Sequence, residues 1–115
     1  MTNKILITGA SGFIGSFIVE EALNRDMEVW AAVRKTTSRR YLKDKRINFI
    51  ELDFNSKDEL KRQLADHQFD YIVHAAGVTK CIDKADFRRM NTEGTKHFVD
   101  AIIELGMPIQ RFVFL

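Results

Sequence analysis

The chain has 115 residues, 45% of them hydrophobic, and a formal net charge of +2. That supports one compact core and is too short for a second domain of comparable size. One cysteine, Cys81, excludes an internal disulfide and a cysteine-cluster metal site, and no apolar run approaches the roughly 18 residues of a membrane span, so a cytoplasmic chain with no membrane contact is expected.

Ile5 to Ile7 is a short apolar, partly β-branched run that reads as a strand buried on both faces and ending at Thr8-Gly9. Three glycines follow at a spacing of three. Gly9 can take backbone angles closed to other residues, Gly12 lets the chain pass close to a ligand, and Gly15 lets a helix pack tightly on the strand. A helix beginning near Gly12 points its unpaired N–H groups and positive dipole end at the crevice above the strand. Backbone amides near Ser11, Phe13 and Ile14 would hold a pyrophosphate there, which makes the stretch a dinucleotide site. Spacing alone is weak evidence, because a glycine-rich turn without a ligand gives the same triplet; the strand before and the periodic helix after supply the context the motif requires.

The sequence Thr-Gly-Ala-Ser-Gly-Phe-Ile-Gly resembles the short-chain dehydrogenase/reductase superfamily, in particular its extended branch, the NAD-dependent epimerase/dehydratase family. The Gly-x-x-Gly-x-x-Gly spacing carries the likeness.

Downstream, a helix from about Gly12 to Arg25 is expected to turn Phe13, Ile14, Phe17, Ile18, Ala22 and Leu23 inward and Glu20, Glu21, Asn24 and Arg25 outward. Glu28 to Val33 reads as the second strand. An NAD-binding fold places an acid near this point to hold the ribose 2′-OH, but here stand Arg34 and Lys35. An acid would repel a 2′-phosphate, whereas a guanidinium binds it through two charge-assisted hydrogen bonds. NADP(H) is therefore expected over NAD(H), with Arg34 as main contact and Lys35, Ser38 or Arg39 assisting; the alternative is that these are ordinary surface cations. Between Arg34 and Arg46, seven basic residues and one acid carry +6, leaving −4 for the rest of the chain. No aromatic platform or recognition helix accompanies this charge, so no nucleic-acid partner is expected.

Tyr41 to Lys45 spells the Tyr-x-x-x-Lys of the resembled superfamily's acid/base pair. In that superfamily the working pair follows the fifth strand, beside the nicotinamide. Tyr41 precedes the third strand and is read as a decoy. Ile47 to Leu52 is the third strand, ending at Asp53-Phe54, where the resemblance implies an aspartate bonded to the adenine amino group; Asp53 and Phe54 are cofactor candidates, with a strand-ending acid as the alternative. Ser56 with Glu59 is a capping box opening a helix to about His67, whose Leu60 and Leu64 face inward. Asp70 to His74 is the fourth strand, and the resemblance sets the small Ala75, Ala76 and Gly77 against the cofactor. His74 reads as a packed strand histidine rather than a ligand or base, and Thr79 and Lys80 as weak substrate-side candidates.

From Asp83 or Ala85 to Leu105 runs the longest expected helix, about 30 Å long, with Phe87, Met90, Gly94, Phe98, Ala101, Ile102 and Leu105 at core spacing. Met-Asn-Thr-Glu-Gly-Thr matches the family's Asn-x-x-Gly-Thr, and the resemblance makes Asn91 its catalytic asparagine, holding a water behind the lysine. Gly106-Met107-Pro108 ends the helix, and Arg111 to Leu115 starts a fifth strand. The pattern predicts a doubly wound, Rossmann-like parallel α/β sheet in the order 3-2-1-4-5. In the resembled family the catalytic serine, the Tyr-x-x-x-Lys helix and the substrate lobe follow this strand. The 115 residues are thus expected to be the N-terminal cofactor part of an enzyme, inactive alone, with small-molecule substrate met only by the parent. Uncovered apolar surface near the fifth strand would promote self-association. The rival reading is a non-catalytic NADP(H)-sensing or protein-interaction module.

Overall fold

The computed structural model describes residues 3–10, 12–33, 42–75 and 92–115. They form β1 (Lys4–Thr8), α1 (Phe13–Asn24), β2 (Glu28–Val33), β3 (Asn48–Glu51), α2 (Lys57–Leu64), β4 (Tyr71–His74), α3 (Gly94–Leu105) and β5 (Arg111–Phe114). The strands make one parallel sheet in the order β3-β2-β1-β4-β5, as the alternation of elements predicts. β1 is central, with Leu6 and Ile7 fully buried, because it is covered on both faces. One face, built on Ile5, Ile7, Val29, Ala31 and Val33, packs on α1, and the other, built on Leu6, Ile50 and Ile72, packs on α2 and α3.

The inner face of α1 corrects the sequence expectation. Val19, Ala22 and Leu23 are buried and Ile18 partly so, but Phe13 is 70% exposed, Ile14 58% and Phe17 56%. Gly15 sets this rotation, since a Cβ there would overlap the carbonyl of Gly9 and lie 2.9 Å from Ala10 Cα. The glycine must face the strand end, and at about 100° per residue positions 13 and 17 fall about 200° away, on the solvent side. The two rings pack on each other edge-to-face, 5.0 Å between centroids. Their hydrophobicity alone could not report which way a helix with apolar residues on two sides would turn.

Ser56 caps α2 by accepting the Glu59 N–H at 3.2 Å. The return half of the box is not made: Glu59 pairs with Arg62, and the Ser56 N–H donates to the Asp53 carbonyl. Leu60 and Leu64 are buried as expected, but α2 stops at Leu64 rather than near His67. His67 instead stacks on Phe69 and meets the edge of Trp30. Glu104 on α3 accepts from Lys57 at 2.8 Å and Lys61 at 3.3 Å, joining the two helices, and both ammonium groups hold its carboxyl below the usual range. The expected start of the long helix lies outside the described residues. Its end is as predicted, with Gly106 left-handed at φ 63°. β5 pairs with β4 and is exposed along its length.

Candidate functional site

Parallel strands bring the loops after β1, β3 and β4 to one edge of the sheet, and the connection reverses direction between β1 and β4. Doubly wound sheets bind ligands at that edge and at that reversal. Gly9 turns the chain there with φ 67°, outside the range that suits L side chains. Its carbonyl accepts the Gly12 N–H at 3.0 Å, closing the turn, and a Cβ on Gly12 would approach that carbonyl to 3.3 Å. Helix α1 then starts with no side-chain cap and no acid in its first turn. α2 has both: the Ser56 cap, and Asp58 and Glu59 in its first turn. The positive end of α1 is therefore uncompensated by its own sequence, and its first N–H groups face the loop edge where an anion would be stabilised.

Of the residues named from the sequence, Gly9, Gly12, Phe13, Ile14, Gly15, Asp53, Phe54 and Ala75 are described, and all lie at this edge or on the first turn of α1. Ser11, Arg34, Lys35, Ala76, Gly77 and Asn91 lie outside the described residues, as do Ser38, Arg39, Tyr41, Thr79, Lys80 and Cys81. Asp53 accepts the Asn55 N–H at 3.0 Å on one carboxylate oxygen, a local turn that gives it a structural task whatever else it does. Phe54 turns inward, its ring 5.3 Å from Phe98 and 5.6 Å from His74. The Ala75 N–H donates to the Thr8 carbonyl at 3.2 Å, joining the β4 exit to the β1 exit.

Lys45, the described half of the Tyr-x-x-x-Lys, sits in a turn at the amino end of β3, the edge opposite the glycine loop. That placement agrees with its reading as a decoy. Beside it, Asp44 chelates Arg46 through Nε at 3.1 Å and Nη2 at 2.9 Å, which lowers the carboxyl pKa to about 2. This part of the basic window borders a groove of about 530 Å³ beside α1, lined by Phe13 and Phe17 from the helix and by Lys43 and Ile47 from the segment before β3.

His74 is packed, as its place on a strand suggests. It is 2% exposed, and burial lowers its pKa to about 4, so the ring is neutral near pH 7. Its two nitrogens hydrogen-bond the hydroxyls of Thr8 at 2.6 Å and Thr95 at 2.9 Å. Neither threonine stands out in the sequence, because the partners are 66 and 21 residues away. Among the described residues there is no group of acids, histidines or cysteines able to hold a metal ion, and no helix is long and apolar enough to cross a membrane.

Sheet order, crossover point and glycine turn together define a Rossmann-type α/β domain. The family comparison makes this specific: the NAD dependent epimerase/dehydratase family model matches residues 5–115, and the chain belongs to that family. It is 29% identical to a UDP-glucose 4-epimerase of Klebsiella pneumoniae over 96% of this chain and 86% of that protein. To a dTDP-glucose 4,6-dehydratase of Neisseria meningitidis it is 30% identical, over 85% of this chain and 31% of that protein. Among solved structures, the Bordetella bronchiseptica enzyme WbmH in complex with NAD+ superposes with a TM-score of 0.78 at 30% identity, covering 97% of this chain and 38% of that one. The chain thus spans about a third of the length of the dehydratase and of the solved enzyme.

Proposed function

We propose that this chain is the dinucleotide-binding part of an NAD(P)-dependent epimerase, dehydratase or reductase. The observation that carries the reading is the uncapped, acid-free start of α1 held by Gly15 against the Gly9 turn at the sheet's crossover point. Backbone amides of Phe13 and Ile14, with Ser11, hold the pyrophosphate, while the Gly12 N–H closes the turn on the Gly9 carbonyl; Ala75, Ala76 and Gly77 leave room for the adjoining ribose. Asp53 borders the adenine, and of Phe54 only the backbone does, since its ring packs on Phe98 and His74. A nicotinamide so placed would supply hydride transfer. The names of the relatives support a parent acting on a nucleotide sugar. In that reading Asn91 serves the parent's proton path and the location is cytoplasmic. The present 115 residues have Tyr41 to Lys45 as their only Tyr-x-x-x-Lys, and Lys45 is at the wrong edge, so the chain alone binds cofactor and does not turn over. Binding without turnover is shared by the sensor alternative; substrate turnover by a parent with the later catalytic residues separates the two.

For the cofactor, two observations pull apart. Two solved relatives are complexes with NAD, whereas Arg34-Lys35 follow β2 where an NAD site would place an acid. The charge argument concerns this chain's own residues, and NADP(H) is the proposed preference. Titration with NADPH and NADH, read by nicotinamide fluorescence and calorimetry, tests both levels. Tighter NADPH binding that weakens at least tenfold in Arg34→Ala supports the assignment; equal or tighter NADH binding ends it, and silence with both coenzymes ends the dinucleotide reading. The exposed Phe112 and Phe114 on β5, with Leu115 just after it, further favour self-association of the isolated chain.

A further inference from the structure

His74 occupies a place where a phenylalanine would suit the packing as well. Four rings surround it: Phe54 at 5.6 Å, Phe98 at 5.1 Å, Phe112 at 6.2 Å and Phe114 at 5.6 Å. What the imidazole adds is two hydrogen bonds directed to different elements. Thr8 and His74 are the last residues of their strands and stand side by side in the sheet. Thr8 immediately precedes Gly9, where the chain turns into the glycine loop. Thr95 is the second residue of α3, whose start is also fastened to the loop after β3: Gly94 leaves 3.3 Å between a notional Cβ and Phe54 Cβ, and His97 Nδ1 bonds the Phe54 carbonyl at 2.8 Å. A neutral imidazole has one N–H and one lone pair, so one hydroxyl accepts while the other donates. The bridge has a direction and holds both hydroxyls at once. Burial lowers the ring's pKa, so the imidazole that bridges the two hydroxyls is the neutral form.

We propose that His74 is a positioning residue that couples the glycine loop to the first turn of α3, so that an event at the loop is transmitted to that helix. The polar bridge runs between the turn that precedes the anion site and the helix whose first residue, Gly94, follows Asn91 by three positions in the sequence. The consequence for function rests on the dinucleotide reading above: coenzyme held by the loop stiffens α3, and the two parts of the site are ordered together. The coupling itself does not require a ligand to be detected.

Backbone hydrogen exchange on the whole chain, with and without NADPH, tests it using two variants. Thr95→Val removes the hydroxyl on α3 while preserving shape and leaving β1 and the loop untouched, and His74→Phe fills the ring's place without polar atoms. Without coenzyme, Thr95→Val is expected to speed exchange of amides 9–15 at least fivefold while amides of α2 stay within twofold of the parent. With coenzyme, protection is expected in both the loop and residues 94–98 of the parent, and in the loop alone in both variants. A general loss of stability would raise α2 along with the loop and overturn the coupling, as would loop exchange within twofold of the parent in Thr95→Val. Should His74→Phe fail to fold, Thr95→Val still decides. If coenzyme protects neither region of the parent chain, the dinucleotide reading falls, and the ligand-free comparison still judges His74.

Discussion

Replacing Gly15 by alanine tests the contact on which the loop geometry depends. In an ordinary helix interior the change would stabilise by about 1 kcal/mol, because glycine is the poorer helix former. Here the new methyl overlaps the Gly9 carbonyl, 2.7 Å from Gly9 C and 2.9 Å from Ala10 Cα. These are backbone atoms, which no side-chain rotation can clear. Relief requires α1 to retreat by about 1 Å, which forfeits much of the close-range attraction between the helix and the strand beneath it. Overpacking of this kind costs about 1–3 kcal/mol, with the upper end expected where backbone is struck. Val19, Ala22 and Leu23 would be drawn off the sheet in addition. After the propensity gain, a net loss of roughly 2 kcal/mol remains, on the order of 10 °C in Tm for a chain of this size. Gly12→Ala provides the contrast: its Cβ meets the same carbonyl at 3.3 Å, and φ −78° is open to alanine. Its stability should fall by about 1 kcal/mol or less, while the methyl projects where a coenzyme would approach, so NADPH affinity should drop at least tenfold. Urea denaturation and coenzyme titration of both variants give the readout. An unchanged denaturation midpoint for Gly15→Ala would refute the helix-on-turn argument, and unaltered affinity in Gly12→Ala would refute the close approach of ligand.

Three further outcomes follow from particular contacts. His74 has a folded pKa of about 4 against 6.5 in the open chain, so its contribution is complete above pH 6.5 and is lost as pH falls toward 4, where the unfolded state alone takes up the proton. That shift corresponds to about 3 kcal/mol; denaturation midpoints between pH 7 and 4.5 should decline in the unsubstituted chain and stay flatter in His74→Phe, and parallel curves would exclude His74 as the source. Ser56→Ala removes the one cap α2 has and should cost about 1 kcal/mol with no change in coenzyme affinity, as read by thermal melts and titration. Phe114→Lys places a charge on the exposed edge strand and should lower the scattering mass of a concentrated sample toward that of a monomer; a parent chain that is monomeric at high concentration would remove the self-association proposal.

Two of the aromatic groups among the described residues show what could be read in advance. Phe98 was legible as core because it belongs to one helical stripe with Ala101 and Ile102, and all three are buried. Phe13 and Phe17 form an equally regular pair, yet they face solvent, because helical spacing says which residues share a face and not which face meets the sheet. That decision belonged to Gly15, and only the position of the Gly9 carbonyl reveals it. Likewise the histidine at the end of β4 could be assigned to packing from its strand, but its two hydroxyl partners come from β1 and α3, distant in sequence and carrying no local signal.

Local physical chemistry in the sequence was sufficient for the alternation of strands and helices, the doubly wound class, the glycine turn, the Ser56 cap and the glycine end of α3. Each depends on backbone preferences or periodicity within a few residues, or on the general handedness of parallel crossovers. The rotation of α1, the inward commitment of Phe54 and the bridge through His74 depended on which atoms become neighbours once the sheet is assembled. Such choices arise between segments far apart in the chain, where close packing admits one arrangement and a linear pattern is compatible with several.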